Sequence, residues 1–140
     1  MFFKDLTPYG YRKGSPSALN VGWLDAAHPF PRGCVPNGFV ARLRMLASKP
    51  VNQTRGFYVC QFCDFGPPIP PGDQAALDAR YRQWKAAGAL GSAEIRVIGS
   101  GGCVYAAPTL ICHYVEAHNY QPPDEFIAAV MEIECDTIIR

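Results

Sequence analysis

Two short patterns set far apart constrain this chain more than anything else in it: Cys60-Gln61-Phe62-Cys63 and His113-Tyr114-Val115-Glu116-Ala117-His118. Cys-x2-Cys and His-x4-His carry the donor types and local spacings of a tetrahedral zinc site. A tight turn brings two thiolates together, and its backbone N–H groups can stabilise their charge. One helix supplies two imidazoles. The order matches the two half-sites of a zinc finger, but 49 residues separate them, far more than a finger's loop, so further elements must be inserted between. The expectation is one structural zinc held by Cys60, Cys63, His113 and His118, tying the middle of the chain to a C-terminal helix.

One geometric demand follows. Five steps along an ideal helix leave two side chains about 140° apart. His113 and His118 therefore reach one ion only if the helix tightens or frays near His118, and Asn119-Tyr120 is where such a break belongs. Other donor sets compete, with Cys34, Cys103 or Cys112 replacing a histidine. A set without metal would leave buried thiols and hydrogen-bonded imidazoles. A thioredoxin-type role fits poorly, because Cys-x-x-Cys there opens a helix and here Pro67 and Pro68 follow too soon. His113-x-x-Glu116-x-His118 departs from both His-Glu-x-x-His and His-x-x-Glu-His, which argues against a metalloprotease.

The length suits one domain, residues 1–140, able to bury most of its apolar surface. No apolar run approaches the ~20 residues that span a bilayer. Met1-Phe2-Phe3-Lys4-Asp5 lacks the apolar stretch of a secretory signal. A reducing cytoplasm is the expected compartment, where six cysteines serve as thiols or metal ligands. The formal charge of +1 conceals +6 over residues 1–60 and −5 over residues 61–140. Such a split serves either an anionic partner or mutual attraction within one fold. The cations are scattered, which favours the second.

Residues 1–36 read as irregular but ring-anchored, with a short strand at Val21-Gly22-Trp23-Leu24. Phe39, Leu43 and Leu46 mark one face of a helix over 39–47. Gly56 to Cys60 is a strand entering the knuckle. Gly66-Pro67-Pro68-Ile69-Pro70-Pro71-Gly72 is a stiff surface loop. Asp73 caps a helix from Gln74 to Ala87 whose apolar face is Ala76, Leu77, Tyr81 and Trp84. Residues 93–98 and 103–106 form a hairpin around Gly99-Ser100-Gly101-Gly102. Pro108 is placed at the first turn of the histidine helix, and a last helix runs from Asp124 to about Cys135, with Phe126, Val130 and Ile133 inward. The fold class is α+β, a small antiparallel sheet with three to four helices, stabilised by the knuckle.

Two other groupings carry chemistry. Asp25 and His28 lie three apart on a turn and, with Arg55, would form a catalytic cluster if the three converge. Asn52, Gln53, Thr54 and Arg55 suit an anion, through the guanidinium fork, or loop capping. Phosphate-loop, dinucleotide and nucleophile-elbow patterns are absent from the sequence.

Several stretches resemble a family of small uncharacterised bacterial proteins. They are Asp5-Leu6-Thr7-Pro8-Tyr9; Leu19-Asn20-Val21-Gly22-Trp23-Leu24-Asp25 with His28; Val51-Asn52-Gln53-Thr54-Arg55-Gly56-Phe57 running into Cys60 and Cys63; Gly91-Ser92-Ala93-Glu94-Ile95-Arg96-Val97; and Tyr105-Ala106-Ala107-Pro108 onward through His113, Tyr114, His118, Tyr120, Pro122, Pro123, Glu125 and Phe126. The resemblance implies a bacterial cytoplasmic protein and a shared fold, and brings no catalytic residues with it. The resulting expectation is a non-enzymatic, zinc-stabilised domain that binds another protein, as an immunity or regulatory partner. A nucleic-acid-binding zinc module and an enzyme built on Asp25, His28 and Arg55 are the alternatives.

Overall fold

In the computed structural model, residues 2–9, 18–51, 58–63 and 65–133 are described. Strands β1 (Leu19–Asn20), β4 (Glu94–Ile98) and β5 (Val104–Pro108) form one sheet in the order β1-β5-β4. The β4–β5 hairpin is antiparallel, pairing Ile95 with Ala107 and Val97 with Tyr105. The sheet is mostly antiparallel, as expected, with the short β1 running parallel to β5. Strands β2 (Tyr58–Val59) and β3 (Leu90–Gly91) make a separate antiparallel pair. With helices α1 (Phe39–Ala47), α2 (Gln74–Ala86), α3 (Ile111–His118) and α4 (Asp124–Glu132), this is an α+β fold. Among the described residues no helix is long and apolar enough to cross a membrane.

Helix α1 packs on α3, α4 and β4, and its predicted stripe sends Phe39 and Leu43 fully inside. Phe126 of α4 meets Phe39 edge-on at 6.3 Å and Tyr105 of β5 at 5.7 Å, so three elements share one aromatic junction. Edge-to-face rings at this spacing add to what area burial alone supplies.

Three local readings are corrected. The first strand falls at Leu19–Asn20 instead of 21–24, although the Val21 N–H still bonds the Ala106 carbonyl. Pro108 ends β5 and does not open a helix: it pairs with Glu94, the Thr109 N–H then bonds the Ala93 carbonyl, and α3 begins at Ile111. At the strand's last position a missing N–H breaks little of the ladder. Helix α2 has the predicted Asp73 cap, whose carboxylate accepts from the Ala76 N–H, but buries none of its residues. Leu77 and Tyr81 are 41% and 40% exposed.

Glu94 is the polar residue the alternation of β4 misplaces. It is 3% exposed, and one of its oxygens accepts from the Tyr9 hydroxyl and pairs with Arg96, both at 2.8 Å. A carboxylate this deep needs such partners.

Candidate metal centre

Strand β2 delivers Cys60 into a two-residue turn, and the Cys60 N–H is fixed by the Ala89 carbonyl just past α2. The backbone at Phe62 and Cys63 hydrogen-bonds the Cys60 sulfur, the stabilisation expected of a knuckle. Across from it, α3 turns Ile111, Tyr114 and Val115 into the core and leaves His113 and His118 on the flank facing the turn.

One ligand atom from each of Cys60, Cys63, His113 and His118 falls in a group where all four lie within 4.8 Å of one another, close enough to hold a metal ion. His113 Nε2 is 3.2 Å from the Cys63 sulfur, and His118 Nε2 is 3.3 Å from Cys60 and 3.4 Å from Cys63. Cys34, Cys103 and Cys112 are not in the group; Cys34 is exposed and Cys112 lies beside Arg44 and Glu116.

The helix meets its geometric demand by ending. His118 is its last residue, Asn119 takes the left-handed conformation (φ 56), and the Tyr120 N–H reaches back to the Tyr114 carbonyl. Asparagine tolerates that conformation better than most residues. His118 thus sits where the ideal spacing no longer binds it, and both rings use Nε2, the nitrogen farther from the backbone.

Burial pushes the Cys60 thiol up to about 11 against the pull of the Phe62 and Cys63 backbone. Burial also holds both imidazoles below their usual value, with the neighbouring His118 adding to this at His113 and the Arg32 charge adding to it at His118. Neutral imidazoles are the ligating form, and the thiol proton is what an arriving cation displaces. Metal affinity is therefore expected to fall by at least roughly tenfold for each unit the pH drops below neutrality, with proton release on binding. Competition against a chromophoric chelator between pH 6 and 8 measures the slope.

The support around the donors was only partly visible in the sequence. The His113 ring hydrogen-bonds the backbone of Ala87, the C-cap of α2, an outer contact of the kind that orients a ligating imidazole. The two residues inside the knuckle both reach outward. The Gln61 side-chain Oε1 accepts from the Ala26 N–H at 2.9 Å, and the Phe62 ring packs on His118 at 5.5 Å and edge-on against Phe30 at 5.0 Å. Nothing in their spacing announced those roles.

The family model described as a domain of unknown function, DUF7919, matches residues 1–131, all four donors included. The chain belongs to DUF7919. No curated protein and no solved structure matches it. The donor group thus sits inside the DUF7919 domain.

Of the second grouping, Asp25 and His28 do meet, with His28 Nδ1 at 2.7 Å from the carboxylate. That contact holds the Asp25 carboxyl below its usual value. His28 is 49% exposed by its side chain and stacks on Phe2 at 3.9 Å. Arg55, with Asn52, Gln53 and Thr54, lies outside the described residues.

Another cluster was not foreseen. Asp5 accepts the Gly22 N–H at 3.0 Å and the Tyr120 hydroxyl at 2.7 Å. Burial raises its carboxyl despite both donors. Gly22 has a positive φ (78), and a Cβ there would stand 2.8 Å from the Ile111 side chain, so only glycine lets this crossing pass so close to α3.

Proposed function

We propose that the chain is a non-enzymatic, zinc-stabilised binding domain, with Cys60, Cys63, His113 and His118 as the ligands of one structural ion and another protein as its partner. The observation that carries the zinc is the set of S···N separations between 3.2 and 3.4 Å. A tetrahedron with Zn–S of about 2.3 Å and Zn–N of about 2.0 Å has S···N edges of roughly 3.5 Å, and Cys2His2 is a donor set of structural zinc. Four protein donors leave no position for a substrate, so the ion serves as a clasp between the knuckle and α3.

A protein partner, of regulatory or immunity type, is supported by the exposed Leu77 and Tyr81 on a helix none of whose residues is fully buried. For a nucleic-acid module the cations would have to be free to meet phosphates. Instead, Arg44 pairs with Glu116, Arg96 with Glu94, and the Arg42 and Arg80 side chains donate to the Ile133 and Pro67 carbonyls. Of these, the Arg44–Glu116 pair joins the basic first half to the acidic second.

Metal analysis of the purified protein tests the reading. One zinc per chain, absent from Cys60→Ser and His118→Ala, is the expected result. A folded wild-type chain that takes up no zinc would overturn it.

A further inference from the structure

Helix α2 lies on the surface, with none of its residues fully buried. Leu77, Tyr81 and Trp84 stand at i, i+4 and i+7, one stripe along the helix. Leu77 and Tyr81 are about two-fifths exposed, and Trp84 is half-buried. We propose that a second copy of the chain docks on this stripe, α2 packing antiparallel on α2 across a two-fold axis near Tyr81. The inference rests on the protein-binding reading and names the partner at this helix; it does not depend on the zinc.

Charge selects the occupant. Asp78 and Lys85, both exposed, lie three residues before and four residues after Tyr81. Seven residues turn a helix by about 700°, within ~20° of two full turns, so the two charges share one flank of the stripe. The Gln74 amide donates to the Asp78 carboxylate at 2.9 Å, a bond from a neutral donor that leaves the charge in place. A stripe flanked by one sign would call for a partner of the other sign. This one carries both, at positions that exchange under a two-fold axis. The axis keeps the flank on the same side in both copies and reverses its direction. Asp78 of each copy then comes within one residue, about 1.5 Å along the helix, of the level of Lys85 in the other. One arrangement thus makes two opposite-charge contacts.

Shape agrees. A two-fold contact uses one patch twice, so the patch has to be complementary to itself. Leu77 stands out from it, and one turn along, Tyr81 borders a cleft of about 260 Å³ with Ala47, Pro50, Leu90 and Ala93. That volume lies below the ~300–1,000 Å³ of small-molecule sites and has room for a side chain from across the axis. Size limits the strength. The 13 residues of α2 run about 20 Å, and a contact centred on one such pair falls at the low end of the ~1,200–2,000 Å² buried in specific complexes. The expected dimer is weak, with Kd of ~10–100 µM.

Sedimentation equilibrium of the full-length, zinc-loaded chain from about 5 to 500 µM brackets that Kd. Reversible dimerisation is expected for the wild type, weakened at least about tenfold in Leu77→Glu. Asp78→Lys and Lys85→Glu should each weaken it roughly tenfold, since either change sets like charges across the axis. Their equimolar mixture should associate more tightly than either variant alone, because the mixed pair restores both opposite-charge contacts. The double variant in one chain should recover the wild-type Kd. The proposal is overturned if the wild type stays monomeric throughout, or if the mixture associates no better than its components. Circular dichroism and zinc content on the same samples separate the failures. A folded, zinc-loaded monomer rules out the second copy and leaves the stripe to a foreign chain, whereas a folded chain without zinc overturns the metal reading.

Discussion

Chelating the metal, or replacing Cys60 with serine, is expected to lower the melting temperature by about 10–20 °C, the shift that roughly 3–5 kcal/mol produces in a chain of this size. Structural zinc carries an apparent ~10–16 kcal/mol in finger peptides that have no fold without it. The loss here should be smaller, because the junction of Phe39, Tyr105 and Phe126 holds α1, α4 and the sheet without passing through the knuckle. The ion would add a tie between the knuckle and α3, beyond the Cys60–Ala89 and Gln61–Ala26 hydrogen bonds that already hold the turn. Cys60 is 2% exposed, so the serine hydroxyl in its place would be buried without the bond its thiolate makes, at ~1–3 kcal/mol for an unpaired polar group. His118→Ala should cost as much as Cys60→Ser. The double variant should cost no more than either, since ligands of one ion act as a unit. Cys34→Ser, at an exposed thiol outside the group, is the control and should melt like the wild type. Thermal melts followed by circular dichroism, with and without chelator, give the comparison. A Cys60→Ser variant with an unchanged midpoint would sink the clasp.

Local patterns were legible wherever a short window contains the physics. The α1 stripe, the Asp73 cap and the β4–β5 hairpin each depend on residues within a few positions of one another, and each appears where the periodicity places it. The donor group was legible for a different reason. Two close pairs announce their chemistry separately, so the 49-residue gap needed no prediction. What failed were cases in which a distant strand decided. Pro108 looks like a helix start until its pairing with Glu94 is known. Glu94 reads as the outward residue of an alternating strand until Tyr9 and Arg96 are brought to it. The apolar stripe of α2 is legible, but periodicity reports amphipathicity, not what covers it. The Asp5–Tyr120 contact spans 115 positions, and neither residue's neighbours hint at the other.

That long contact carries the second large effect. Tyr120 heads the fully buried side chains by volume, and removing its ring in Tyr120→Ala is expected to destabilise the chain by about 3–5 kcal/mol, as for other large-to-alanine changes in a core. Tyr120→Phe keeps the ring against Phe30 and removes only the hydroxyl, at about 1–3 kcal/mol because the acceptor is a carboxylate. The two variants part in their dependence on pH. Burial holds the Asp5 carboxyl above its ordinary 3.8. A folded-state value raised in this way means that Asp5 favours the fold most below 3.8, and that this contribution fades as pH rises through the raised value. The Tyr120 hydroxyl bond opposes that rise. Without it the carboxyl titrates higher still, so the penalty of Tyr120→Phe should be smallest at low pH, where Asp5 takes up its proton, and grow towards pH 7. The penalty of a lost packing contact alone would stay level. Urea unfolding of wild type and variant at matched pH isolates the difference, because any loss of metal at low pH affects both alike. Asp5→Asn supplies the last check: the carboxyl is gone, so adding Tyr120→Phe to it should cost the same at pH 4 as at pH 7, and a pH-dependent cost in that background would refute the assignment to Asp5.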